Sequence, residues 1–425
     1  MVKSAESIFK VIIAAALSIF SSFLIVIVIA NTLDIKSFGT YSFILNNFYL
    51  IFGLPLMGSY NFLTKVISKE FSRKNYDKIR YAIKWGLYFA SIVSLTISFL
   101  VSIIYFVGDF ENINFSFYIT LFLLAFVFGY INCFISILRA IKMGSFAQLS
   151  EAFIYNTLII SIFLLSFNYF DPVYAPIFSR LSAGILLLLS LIYVLNRKVS
   201  LSYKEMDFDV NFFSNPLWIK DIILISSFFG MDFLLRNIPM TYLGIFSTSN
   251  EVAYFQIALR FGLMAEFGLL YIGRAYQSNI VDLYVKNDLK NLQKLCSKIM
   301  KISLSISLLV LIVLYLFSEI FIPIFFNDPS YIKSITPMLI VAGSKVIYSY
   351  FGLGPMLLWL LGQNKSHIYI LMIVALIQLI LSFYFIPIYG AIGTAIVVVF
   401  SDFLKGKLLN DLCYKKFGIK SNKLF

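Results

Sequence analysis

The sequence predicts an all-α, polytopic membrane protein with about twelve transmembrane helices, arranged as two six-helix bundles related by an internal repeat. Three observations carry that reading. Of 425 residues, 60% are hydrophobic and only 13% are charged, whereas a soluble domain is about a quarter charged. Apolar runs recur along the whole chain, each reaching the roughly 20 residues that a helix needs to cross the hydrocarbon core. The two halves also echo one another. Ten-residue segments of alternating polarity, the mark of a membrane barrel, do not occur.

The elements follow in order. Lys3 and Lys10 precede an apolar run over 11–30. That run is too long for a signal-peptide core and leads into further helices, so it is expected to stay as the first span. Polar breaks then delimit spans near 8–30, 41–66, 81–107, 115–138, 146–167, 172–195, 219–245, 252–281, 298–326, 334–361, 366–386 and 390–412. The largest loop divides the chain into a first bundle over 1–195, a linker over 196–218 and a second bundle with a basic tail over 219–425.

Charge sets the expected orientation. In or beside the even-numbered loops and the two termini lie 27 of the 34 Lys and Arg, while Lys36 and Lys333 are the two in the opposite loops. Basic residues gather on the cytosolic side of a membrane. Both termini are therefore expected in the cytosol. The net charge of +13 comes from this bias and from attraction to anionic lipid headgroups; it does not point to nucleic acid. The basic tail from Lys415 to Lys423 is expected on the membrane surface. Cys133, Cys296 and Cys413 have no metal or redox spacing and read as packing residues.

An offset of 213 aligns 41–84 with 254–297 without a gap. Tyr41, Ile44, Phe48, Leu50, Leu56 and Ile67 then meet Tyr254, Ile257, Phe261, Leu263, Leu269 and Ile280. In both halves a basic amphipathic segment follows, over 69–84 and 282–301. Pro172-Val173-Tyr174-Ala175 and Pro387-Ile388-Tyr389-Gly390 open the last helix of each half. Two similar bundles of this kind can rock about a site at their interface, as transporters do.

With these features the chain resembles the polysaccharide transporter, or O-antigen flippase (Wzx), branch of the multidrug/oligosaccharidyl-lipid/polysaccharide exporter superfamily. Local stretches carry the resemblance as well: Phe38-Gly39-Thr40-Tyr41, Glu251-Val252-Ala253-Tyr254, Leu361-Gly362-Gln363-Asn364-Lys365 and Gly390-Ala391-Ile392-Gly393-Thr394-Ala395. The resemblance implies export of an undecaprenyl-diphosphate-linked sugar repeat unit from the cytosolic to the periplasmic leaflet. It implies membrane lipids and polysaccharide assembly proteins as further partners, and it names no catalytic residue.

Candidate site residues are the ionisable side chains within spans, which are costly there and tend to face cavities. They are Arg180, Asp232, Arg236, Arg260, Glu266, Arg274 and Lys345, five basic against two acidic. A cavity of that sign suits a diphosphate, whose oxygens match the planar guanidinium fork; a cation-drug exporter would lean acidic. Arg180, Arg236, Arg260, Arg274 and Lys345 are therefore the substrate-binding candidates, with Asp232 and Glu266 as charge-balancing or coupling groups. Arg260 and Arg274 fall within about 40° of one helical face, about 21 Å apart along the axis, and their repeat counterparts are Asn47 and Asn61. Arg180 would face the second half across a central cleft.

Structural alternatives stand beside each of these. An ordinary intrahelical pair accounts for Asp232 and Arg236 as well as a site does, and Arg274 can reach headgroups from its helix end. Asp402 and Glu319 lie near helix ends and read as interfacial, while His367 reads as solvated at a loop edge. Pro55, Pro239 and Pro355 are expected to kink their helices.

No phosphate-binding Gly loop, metal-ligand cluster or nucleophile with a base partner is present in the sequence. The chain is therefore expected not to be an enzyme and to use no cofactor or metal. A cation-coupled multidrug exporter of the same superfamily is the alternative, and a membrane-bound polysaccharide polymerase, which needs a long outer loop, a more distant one.

Overall fold

A computed structural model describes residues 2–73, 75–107, 115–199, 216–273, 276–362, 364–420 and 422. Its elements are helical throughout and correspond to the expected spans. In chain order they are α1 (Val2–Thr32), α2 (Ile35–Phe48), α3 (Leu54–Ser72), α4 (Tyr76–Val107), α5 (Phe115–Ala140), α6 (Gly144–Gln148), α7 (Tyr155–Ser166) and α8 (Tyr174–Val199). They continue with α9 (Pro216–Phe246), α10 (Ser249–Gly262), α11 (Gln277–Val285), α12 (Leu289–Phe325), α13 (Ile335–Phe351), α14 (Gly354–Leu360) and α15 (Asn364–Phe417). Most of the expected linker, over 200–215, lies outside the described residues.

Among the described residues, seven helical stretches are long and apolar enough to cross a membrane, and a bent pair over 35–71 makes an eighth. Some of the other spans pass through a break, and the breaks have local causes. The second span passes from α2 to α3 through a π-turn at Tyr49–Gly53, with Pro55 in the first turn of α3, where its missing N–H costs nothing. Gly352 at φ +71° ends α13, and Pro355 again stands in the first turn of the next helix. Pro239, in contrast, lies inside the continuous helix α9. The eleventh and twelfth spans form one long element, α15, broken at Gly390, where φ is +52° and ψ −126°. A side chain there is disfavoured by the backbone, and a Cβ would lie 2.5 Å from Glu251 Oε2. That carboxylate accepts from the backbone N–H of Ala391 at 2.8 Å, satisfying a donor that the break exposes.

The repeat is visible in the backbone. At the same offset of 213, the π-turn between α2 and α3 corresponds to a 3₁₀ turn at Leu263–Glu266, followed by a π-turn at Gly268–Ile272. The second helix of each half is thus interrupted at an equivalent place. Tyr41 and Tyr254, Phe48 and Phe261, Leu56 and Leu269, and Ile67 and Ile280 are buried in both halves, so four of the six identical pairs are core residues.

The chain divides into two compact units, one of residues 1–29 and 47–230, the other of 30–46 and 231–425. In the first, α3, α4, α5 and α8 pack around Leu63, Trp85, Phe134, Leu138, Leu187 and Leu191, with Cys133 among them. In the second, Leu235, Leu269, Leu357, Leu371 and Leu409 form the core with Cys296 and Cys413. Residues 30–46 join the second unit through specific bonds. The Asn31 amide donates to Phe325 O at 2.8 Å, and its oxygen accepts from Asn327 N at 2.9 Å. Asn46 donates to Asn237 O and Thr241 Oγ1, at 3.2 and 3.0 Å.

The C-terminal segment packs back on the second unit. Gly418, at φ +69°, turns the chain after α15, and Ile419 is buried. Gln293 of α12 then clasps Lys420, donating to its carbonyl at 2.6 Å and accepting from its N–H at 2.8 Å. A side-chain amide offers both donor and acceptor, so one residue holds the tail.

Candidate functional site

The second unit contains a closed ring of six charges. Asp232 and Arg236 lie one turn apart on α9 and therefore on the same face; Arg236 Nε donates to Asp232 Oδ2 at 3.1 Å. The other end of the guanidinium, Nη2, donates to Glu266 Oε1 at 3.3 Å. Glu266 Oε2 is 3.8 Å from Lys345 Nζ, which donates to Asp402 Oδ2 at 2.6 Å. Asp402 Oδ1 is 4.0 Å from Lys405 Nζ, which closes the ring on Asp232 Oδ1 at 3.2 Å. Signs alternate all the way round, so each ion has two counterions.

Helix packing explains how these residues meet. Gly262 lets α10 approach α13 closely, since a Cβ there would lie 2.6 Å from Val341. Four residues beyond that contact on each side stand Glu266 and Lys345. The 3₁₀ turn that ends in Glu266 tightens the chain at this point; Ser307 of α12 donates to the Ala265 carbonyl at 2.6 Å, so the irregular backbone keeps a partner. Along the seam between α13 and α15, Ser344 donates to Asp402 at 3.1 Å. The Lys405 ammonium sits 4.7 Å from the Tyr348 ring centroid, and Gly406 abuts Phe351. Gln378, also on α15, donates to the Leu235 carbonyl at 3.0 Å, tying α9 to the same assembly.

The ring has one open edge. Side-chain exposure is 42% for Arg236 and 36% for Asp232, but 2% for Glu266 and 6% for Lys405. Burying a lone charge in hydrocarbon is costly, and a buried pair repays its desolvation only when well coordinated. An alternating, neutral ring meets that condition.

Arg180 lies in the first unit. It is buried on α8, and its Nη1 donates to the Tyr49 hydroxyl at 3.3 Å. Tyr49 opens the π-turn of the second span, a kind of irregularity often found at functional positions. Its ring lies 5.4 Å from Phe128, which also meets Phe48 at 6.0 Å. Tyr155, directly after a second π-turn at Leu149–Ile154, donates its hydroxyl proton to the Arg180 carbonyl at 3.2 Å. Arg260 is half-buried in the last turn of α10. Arg274 lies outside the described residues.

Of the candidates named from sequence, the structure thus brings Asp232, Arg236, Glu266 and Lys345 together, and it does not place Arg180 or Arg260 among the ring's ion pairs. Two expectations are corrected. Asp402 is not an interfacial residue but a buried ring member, because its helix face is covered by α13; Lys405, which was not among the candidates, completes the ring. His367 is buried, not solvated. The signal for Asp402 and Lys405 was faint: an i, i+3 pair of opposite charge ending an apolar helix. Among the described residues, no group of three His, Cys, Asp or Glu is placed to hold a metal ion.

No protein-family model matches the sequence, and no curated protein matches it. Solved structures do resemble it. An inward-facing multidrug-resistance transporter of the MATE family, in the MOP superfamily, aligns over 94% of each chain with 16% identity and a TM-score of 0.78. The lipid II flippase MurJ, in an inward closed conformation, covers 94% of this chain and 86% of its own at 16% identity, with a TM-score of 0.73. A MOP superfamily transporter from Pyrococcus furiosus aligns over 98% of this chain and 96% of its own, with 16% identity and a TM-score of 0.72. For that protein, a reversed polarity of the binding pocket suggests a different function. The chain therefore has the polytopic helical fold of MOP superfamily transporters.

Proposed function

We propose that this chain is a flippase for an undecaprenyl-diphosphate-linked oligosaccharide, an O-antigen or related surface-polysaccharide repeat unit. It would work by alternating access from the cytosolic to the periplasmic leaflet of a bacterial inner membrane. The observation that carries this reading is the neutrality of the ring. Asp232, Glu266 and Asp402 are matched one for one by Arg236, Lys345 and Lys405. The other basic candidates within the spans are Arg180, Arg260 and Arg274. Guanidinium is the side chain best shaped for phosphate oxygens, and Arg180 has aromatic neighbours suited to sugar faces. Arg236, on the open edge of the ring, is a further contact for the headgroup.

A cation-coupled multidrug exporter is the alternative, favoured by the likeness to MATE structures. The engagement of all three ring carboxylates by side-chain cations counts against it. The deciding experiment is export of lipid-linked glycan in a strain lacking its own flippase. Restored surface polysaccharide, lost on Arg180→Ala or Arg260→Ala at unchanged membrane expression, is the expected result. Failure across several glycan donors, together with acquired drug resistance, would establish the exporter instead.

A further inference from the structure

The ring poses a question that the flippase reading does not answer: what neutralises three carboxylates inside a membrane protein. Asp402 Oδ2 and Glu266 Oε2 stand on either side of Lys345 Nζ, at 2.6 and 3.8 Å. Asp232 Oδ1 and Asp402 Oδ1 stand on either side of Lys405 Nζ, at 3.2 and 4.0 Å, with the Tyr348 ring beneath it. Each ammonium occupies the bridging position between two carboxylates, carries a single positive charge, and is nearly removed from solvent. A monovalent metal ion would occupy the same position with the same charge. Aromatic faces accept either, through the ring quadrupole.

We propose that Lys345 and Lys405 are tethered counter-cations that stand where a free monovalent cation would otherwise sit, so that the chain's conformational cycle needs no sodium or potassium at this site. The cation is covalently part of the protein and cannot be released to either side of the membrane. Charge balance then holds in every state in which the ring is closed. The corollary is specific: removing one ammonium leaves a site of net charge −1, lined by carboxylate oxygens and, at Lys405, by the Tyr348 ring, that a small monovalent cation restores to neutrality.

The test uses the purified full-length chain in detergent, without substrate, so its outcome is independent of whether lipid-linked glycan is the cargo. Thermal unfolding is compared in NaCl, KCl and choline chloride at equal ionic strength for wild type, Lys405→Met and Lys405→Met/Asp232→Asn. The expected result is no sodium-specific or potassium-specific stabilisation of the wild type. Lys405→Met should be stabilised by the metal cation, its unfolding constant falling about 100-fold at a concentration 100 times the dissociation constant. The double variant, neutral again, should lose that response. Recovery of folded Lys405→Met only in sodium or potassium counts as the same result. If Lys405→Met does not fold in any salt, Lys345→Met with Glu266→Gln as its neutralising partner applies the same test at the other bridge. Metal-specific stabilisation of the wild type that Asp232→Asn abolishes would overturn the proposal. So would a folded lysine variant indifferent to the cation.

Discussion

Lys345 offers the sharpest test of the ring as an energetic unit. Replacement by Met keeps the length of the aliphatic stem and removes the charge, converting a neutral ring into one of charge −1. Asp402 would then keep only Lys405 at 4.0 Å and the Ser344 hydroxyl at 3.1 Å, and Glu266 only Arg236 at 3.3 Å. Removing one partner of a buried ion pair costs about 3–5 kcal/mol, because the remaining charge stays desolvated. At about 1.4 kcal/mol per decade, the unfolding constant rises by roughly two to nearly four orders of magnitude. Asp402→Asn should cost a similar amount for the opposite charge. The pair Lys345→Met/Asp402→Asn is neutral, so its loss should be smaller than the sum of the singles by about 1–3 kcal/mol. Titration of the detergent-solubilised protein with denaturant, followed by tryptophan fluorescence, measures all three. Single losses that add within about 0.5 kcal/mol would refute the reasoning, since ring members that act on one another cannot be independent.

Three further outcomes follow from other parts of the fold. Gly390→Ala places a side chain at φ +52° and against the Glu251 carboxylate, and should cost about 1–3 kcal/mol; adding Glu251→Ala should relieve the contact but not the backbone term, which melting temperatures of both variants would show. Asp288 caps α12, and the N–H and side-chain amide of Asn291 hold its carboxyl below the ordinary aspartate range. Its folded value lies below its unfolded one, so the cap contributes fully above the unfolded value and is lost as pH falls through the folded one; amide exchange at Asn291 should lose protection on acidification, and Asp288→Ala should remove that dependence. Gln293→Ala should release the C-terminal clasp and speed tryptic cleavage after Lys415, Lys416 or Lys420 relative to sites elsewhere in the chain.

What the amino-acid sequence determined by itself was the number and order of spans and the twofold plan. Hydrophobic length and helical punctuation are local properties, and burying the same face in each half requires apolar residues at the same places. Tyr41, Phe48, Leu56 and Ile67 match their counterparts for that reason, and all are core residues in both halves. The helix breaks were partly legible too, through Pro55, Pro355 and Gly390. The i, i+4 spacing of Asp232 and Arg236 was legible as an ion pair, because one helix contains both. The ring was not. Its six residues come from α9, the 3₁₀ turn after α10, α13 and α15, and no period within one helix reports which face another helix will cover. Asp402 looked interfacial because position along a helix indicates depth only loosely, whereas burial depends on the neighbour. A count of charges could give the net surplus, but only the packing of α10 and α15 against α13 decided which charges meet in the ring.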